Sequence, residues 1–195
     1  MPKTTSKAKK KEPASVLAVA RMNDRAQPIE RGDLYEDPLQ EMLETTGIGE
    51  VTGGGTQVDE KGEIEFCDIE IYLQDTAPAT INALIGMLEK LGCPKGSKLL
   101  VEGREVPFGQ LEGLAVYFNG TELPDKVYQE CDINHVFAEF ERLLGKQGKI
   151  HSTWGGPTET AFYLFGKSCA EMRKRLSAFM ASYPLCQKAR LVQIA

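Results

Sequence analysis

The chain has 195 residues, 42% of them apolar, and a formal net charge of −5. That charge is split: residues 1–12 carry five lysines and one acid and stand at +4, which leaves the remainder at −9. An apolar fraction of this size supports a packed core. No run approaches the ~18 apolar residues that a membrane span needs, and a body at −9 is a poor general binder of nucleic-acid backbone.

Residues 1–14 are rich in Lys, Ser, Thr and Pro and are expected to be disordered, a solvated tail or an electrostatic tether. No secretory leader is read in them, and a cytoplasmic location is expected. The five cysteines, Cys67, Cys93, Cys131, Cys169 and Cys186, are odd in number and nowhere closer than 17 residues. That spacing argues against a structural zinc site, and they read as buried thiols in a reducing compartment.

The apolar run 16–20 predicts a buried strand. A long polar loop follows over 23–36, and Asp37-Pro38 is expected to open a helix with Asp37 as its cap and Gly47 as its stop. Two extended runs, 50–58 and 63–73, flank the turn signal Asp59-Glu60-Lys61-Gly62. Apolar residues at helical spacing predict a second helix over 79–91, ended by Gly92 and Pro94, and 97–101 closes the unit as a strand. The order is βαββαβ.

The order then recurs. Residues 113–118 form an apolar strand, 119–131 a loop, and Asp132 caps a helix with Val136, Phe140 and Leu144 on one stripe. Runs 149–154 and 158–165 flank Gly155-Gly156-Pro157, Ser168 and Glu171 match a capping box, and 189–194 closes the chain. The echoes are residue by residue. Each first strand leads to Asn-x4-Pro, at Asn23–Pro28 and Asn119–Pro124, and each loop reaches a Tyr before the expected cap, at Tyr35 and Tyr128. The pattern resembles a tandem ferredoxin-like architecture. It implies an α+β fold of two βαββαβ repeats, each an antiparallel sheet with helices on one face. The expected division is a tail 1–14, a first repeat 15–103, a linker 104–112 and a second repeat 113–195. Strand 158–165 is apolar on both faces, so something should cover both.

The paired loops are the first candidates for a binding site. The first holds Asn23, Asp24, Arg25, Arg31 and Tyr35, a set able to clasp an anion between two guanidiniums, although the same residues could merely set turns. The second loop, with Asn119 and Tyr128, has lost most of those charges. Asp68 and Glu70 point to one face of one strand, as a carboxylate pair or as an acidic contact for a basic partner. Trp154 near a hairpin tip is either an exposed anchor or a core residue. Cys131 and His135 stand four apart, a spacing that allows a thiol–imidazole pair but is common by chance. His151 starts a strand. Gly53-Gly54-Gly55 lacks the rest of a phosphate loop. No cofactor, resident metal or catalytic residue is expected.

From these features the expected function is a non-catalytic acidic protein. It would occlude a basic partner as inhibitors and toxin-neutralising immunity proteins do. The alternatives are a sensor that binds a small metabolite in the twin loops or between the repeats, and an enzyme of unassigned reaction. A homodimer is compatible with either.

Overall fold

A computed structural model describes residues 15–195; the expectation for the lysine-rich tail lies outside the described residues. The first repeat comprises β1 (Val16–Met22), α1 (Pro28–Arg31), a π-helical turn (Gly32–Glu36), α2 (Asp37–Thr46), β2 (Gly49–Val58), β3 (Ile64–Leu73), α3 (Pro78–Lys90), β4 (Ser97–Val101) and β5 (Arg104–Phe108). The second comprises β6 (Glu112–Asn119), α4 (Asp125–Glu130), α5 (Ile133–Leu144), β7 (Gly148–Gly155), β8 (Glu159–Gly166), α6 (Cys169–Ser182) and β9 (Arg190–Gln193).

The sheets run β2-β3-β1-β4-β5 and β7-β8-β6-β9, antiparallel throughout. In each, the first strand of the repeat is central and pairs with the third and fourth. This is the ferredoxin-like order, twice, and the tandem α+β architecture expected from the sequence is the observed one. The second hairpin is closed by Gly156 N–H donating to the Glu159 carbonyl at 2.8 Å, and the first closes as its turn residues require. Asp59 Oδ1 accepts the N–H groups of Lys61 and Glu63 at 2.8 and 2.9 Å, while Gly62 supplies the positive φ of 75°.

Several details differ from the sequence reading. Residues 104–108, expected as linker, add an edge strand to the first sheet; Pro107 and the flanking charges mask the strand pattern and suit an edge. The polar loop 23–36 is half helical: α1, the π turn and α2 run on continuously from Pro28. Asp37 therefore sits inside the helix at φ −63° and is no cap. Asp132 does cap α5, accepting from Asn134 N–H at 2.8 Å. Ser168 caps α6, but the Glu171 carboxylate turns to Arg175 at 2.9 Å instead of closing the box.

Each helix layer seals one core. Ala18, Ala20 and Met22 of β1 and Cys67, Ile69, Ile71 and Leu73 of β3 meet Leu39, Leu43, Leu84 and Leu88. In the second repeat Val116, Phe118, Phe162 and Leu164 meet Val136, Phe140, Met172 and Leu176. The second sheet has a further buried face of Ala115, Tyr117, Trp154, Ala161, Tyr163 and Phe165. The first repeat covers it, through the segment after β1 and the Glu63 end of the β2–β3 hairpin. Both Tyr117 and Tyr163 donate to Glu63 Oε1, at 2.5 and 2.8 Å. Ser152 donates to the Arg25 carbonyl at 2.6 Å, and Asn23 to that of Ile194 at 3.0 Å. The apolar double face of β8 is thereby explained. By contrast, the helix-free face of the first sheet is open, with Leu17 and Tyr72 exposed.

Candidate functional site

The seam between the repeats buries a polar cluster centred on Asp24, which is fully buried. Three donors converge on its carboxylate: Arg25 N–H at 2.6 Å, the Tyr35 hydroxyl, and His151 Nδ1 of the other repeat at 2.7 Å. A group that accepts three bonds and donates none acts as a carboxylate. The Nδ1 proton of His151 is accordingly committed to Asp24, which fixes the orientation of the ring. Tyr35 lies edge-on to His151, with centroids 6.4 Å apart, and Phe165 packs on the ring at 4.6 Å. Burial, and then the charge of Asp24, hold the Tyr35 phenol well above its usual range.

Local structure places each member. Asp24 lies two residues after the end of β1. The π turn carries Tyr35 inward, and Arg31 at its mouth is buried, bonded to Glu36 at 2.5 Å and to the Thr56 hydroxyl at 2.8 Å. The pairing of β7 with β8 shifts register between Ile150 and Ser152, a bulge at His151. A bulge breaks the alternation of side chains and can re-aim one of them. Here His151 and Ser152, consecutive residues, are both buried and both reach the first repeat.

His151 has one ring nitrogen left over. Its side chain is 1% exposed, and Nε2 is the one buried side-chain polar atom without a partner among the described residues. Such an atom costs about 1–3 kcal/mol and calls for an explanation. His151 is among the residues that line a cleft of about 270 Å³ between the repeats. Leu91, Leu111 and Phe165 supply apolar wall, and Lys146, Lys149 and Lys167 supply cations.

The other candidates are distributed differently. Arg25 and Arg31 form no open clasp: Arg25 donates to the Ile64 carbonyl, lies 3.9 Å from Glu63 and stacks over Tyr163, and Arg31 is engaged as described. Asn23 bonds the Lys95 and Ile194 carbonyls and works as a seam residue. Asp68 forms a two-bonded pair with Arg21, both bonds 2.9 Å, whereas Glu70 is exposed. Asn119 caps its own loop through Thr121 and Glu122 N–H, and Tyr128 bonds back to the Asn119 carbonyl at 3.2 Å. These two line a separate cleft of about 370 Å³ with Cys131. Trp154 is buried, which makes it the core residue of the two readings, with one side on a third cleft of about 470 Å³ beside Phe137. No hydrogen bond joins Cys131 to His135 among the described residues; His135 packs instead on Phe179 and Tyr183. Among the described residues, no group of three His, Cys, Asp or Glu is placed to hold a metal.

Sequence reasoning singled out Asp24 and Tyr35 but passed over His151 and Glu63. Neither has a local signal, because their roles arise from contacts across about 100 residues of chain.

No family model matches the chain, and no curated protein matches it. Among solved structures, the first two RRM domains of yeast poly(U) binding protein align with 92% of this chain and 99% of that chain, at 10% identity and a TM-score of 0.25. A candidate monooxygenase from Fusobacterium nucleatum aligns with 92% of this chain and 90% of that chain, at 9% identity and a TM-score of 0.32. An anthrone oxidase-like protein aligns with 92% of this chain and 94% of that chain, at 9% identity and a TM-score of 0.28. The strand order described above, not these likenesses, carries the architecture.

Proposed function

We propose that the protein is a small-ligand binder whose site is the cleft between its two repeats. The observation that carries this reading is the buried Nε2 of His151, oriented by Asp24 and left without a partner in the cleft wall. Buried polar atoms in folded proteins are almost always bonded, so an unpartnered one in a residue that lines a cleft points to a ligand. The cleft lies between elements of both repeats, so an occupant would bias how the two are held together. That geometry suits a sensor or regulatory protein. A reducing, cytoplasm-like compartment fits its five free cysteines, and no helix among the described residues is long and apolar enough to cross a membrane.

Occlusion of a basic protein remains the second reading, favoured by the −9 body and by Glu70, which is exposed and forms no ion pair among the described residues, although Asp68 is spent on Arg21. A thermal-shift screen of the full chain against a metabolite library tests the first reading. A true ligand at 100 times its Kd stabilises by about 2.7 kcal/mol, and it must also move the imidazole ¹⁵N resonances of His151. A library in which no compound does both refutes it.

A further inference from the structure

The two sheets differ in what lies on their helix-free faces. That of the second is buried against the first repeat, whereas that of the first is open among the described residues. The open face is built in cross-strand rows. Glu50 of β2, Tyr72 of β3 and Leu17 of β1 form one row, and Glu70 of β3, Val19 of β1 and Leu100 of β4 form the next. Side chains two apart on a strand share a face, so both rows look outward together. Leu17 is 45% exposed and Tyr72 is 40% exposed, and they stand directly opposite each other. Farther along the face the charges are neutralised in pairs, Arg21 with Asp68 and Lys98 with Glu105. Glu50 and Glu70 are exposed and form no ion pair among the described residues. Gly53 lies opposite Glu70, so no side chain at that register position of β2 screens the carboxylate.

The chain enters the first sheet beside these acids. Ser15 lines a cleft of about 260 Å³ with Glu44, Glu50 and Tyr72, and no cation lines it among the described residues. Ahead of Ser15 in the sequence stand Lys3, Lys7, Lys9, Lys10 and Lys11, the source of the +4 charge. We infer that the lysine-rich segment 3–11 docks on the open face of its own first sheet, with ammonium groups on Glu50 and Glu70 and alkyl stems on Tyr72 and Leu17. The lengths agree. Val16 pairs with Leu73, three residues from Glu70, which is ~10 Å along the strand at ~3.4 Å per residue. Glu50 lies on β2, two strand spacings or ~10 Å across from β1. Lys11 is four residues from Ser15 and spans ~14 Å at full extension, and Lys10 and Lys9 reach farther. A lysine stem covers apolar surface while its head stays in water, and an ammonium over Tyr72 is drawn to the negative face of the ring. Exposed ion pairs are individually weak, but a tether this short presents the lysines at an effective concentration on the order of millimolar. That standing advantage favours the chain's own segment over a separate basic partner, which would have to displace it.

The test is zero-length carbodiimide coupling of the full chain, in an equal mixture of ¹⁴N and ¹⁵N protein, read by mass spectrometry. Amide links from Lys9, Lys10 or Lys11 to Glu50 or Glu70 are expected, with both ends carrying the same isotope. Asp75 is the internal control: it is exposed and two residues beyond Leu73, but its carboxylate is turned to Thr80 and the start of α3. Links to Glu50 and Glu70 should exceed those to Asp75 by at least about fivefold. Raising the salt from about 20 mM to about 500 mM, where the Debye length falls to ~4 Å, should reduce them by at least about fivefold. Over the same salt range the backbone amides of Leu17, Glu70 and Tyr72 should shift in the ¹H–¹⁵N spectrum of the wild type. They should hold still in Lys9→Gln/Lys10→Gln/Lys11→Gln, a triple change made ahead of the first strand. Links that join different isotopes place the segment on a neighbouring chain and overturn the inference. Links spread evenly over Asp75, Glu50 and Glu70, no links to Glu50 or Glu70, or a salt response unchanged in the triple variant each overturn it as well.

Discussion

Replacing Asp24 by Asn isolates what the carboxylate does for His151. The substitution conserves volume and removes one charge from a site with no solvent contact. The Arg25 N–H, 2.6 Å from Oδ1, cannot turn away, so the amide oxygen must stay there. The amide NH₂ then faces His151 Nδ1 and the Tyr35 hydroxyl, which both donated to Oδ2. A donor facing Nδ1 is accommodated when the ring proton moves to Nε2. The variant thus exchanges the histidine tautomer, and it loses hydrogen bonds to a charged acceptor, which are worth about 1.5–3 kcal/mol each. Tyr35 can rotate to accept, so the net cost is set at about 2 kcal/mol, or roughly 4–8 °C in Tm for a chain of this size. Urea unfolding with an unchanged m-value measures the cost, and long-range ¹H–¹⁵N correlation of the imidazole reads the tautomer. Pyrrole-type nitrogen should be Nδ1 in the wild type and Nε2 in Asp24→Asn. Retention of the proton on Nδ1, or a stability within about 0.5 kcal/mol of wild type, would refute the reasoning.

Other outcomes follow from the same contacts. Tyr35→Phe removes one donor from Asp24 without opening a cavity and should cost about 1.5–3 kcal/mol in urea unfolding; a silent change would mean that the hydroxyl is not bonded to the carboxylate. The Tyr117 phenol is pushed up to about 12, first by burial and then by its bond to Glu63, and Tyr163 is pushed in the same direction. The folded state therefore holds these protons more tightly than the unfolded chain. Stability is fully present below about pH 10 and is lost as pH rises from there towards 12; Tyr117→Phe should flatten part of that decline in a pH series of urea midpoints. Gly109→Ala places a Cβ 1.8 Å from the Pro94 carbonyl at φ +99° and should destabilise by at least about 2 kcal/mol, read as a fall in urea midpoint. Asp68→Asn breaks only a part-exposed pair with Arg21 and should cost under about 1 kcal/mol by the same measurement.

What the sequence shows of the fold is what local physics dictates. The stripes Val136, Phe140, Leu144 and Met172, Leu176 can only be helix faces turned to a sheet, and they are. The alternation Cys67, Ile69, Ile71, Leu73 survives intact in β3. β5 is hidden because Arg104, Glu105 and Pro107 leave it only Val106 and Phe108 as inward residues, too few for a period. Helix α1 and the π turn are hidden because Gly32, Asp33 and the polar residues around them read as loop, while Tyr35 and Arg31 are held by tertiary contacts. The site is less legible still. A bulge lifts His151 out of the strand alternation, and its partner Asp24 lies 127 residues away.

The repetition itself explains why only one repeat has a seam site. In both, a tyrosine from the first helical segment bonds back to the chain just after the first strand. Tyr128 reaches the Asn119 carbonyl and receives Leu123 N–H at 3.0 Å; Tyr35 reaches the Asp24 carboxylate. The shared role is to pin the loop. In the second repeat the pin ends on backbone, which is neutral and satisfied within the loop, and Gly120 follows Asn119 where Asp24 follows Asn23. In the first repeat it ends on a charge that is buried and still needs a donor. That need is met from the other repeat, by a histidine that the bulge turns across the seam. A tandem of equivalent modules would bury two apolar sheet faces or leave both open. Here one face is covered and one is open, because the first repeat's loop carries the asymmetric carboxylate and sits on the second repeat's sheet. Meeting that carboxylate's need uses only half of the imidazole. The other nitrogen is left without a partner among the described residues, in a residue that lines the cleft between the repeats, so the proposed ligand site shares His151 with the seam.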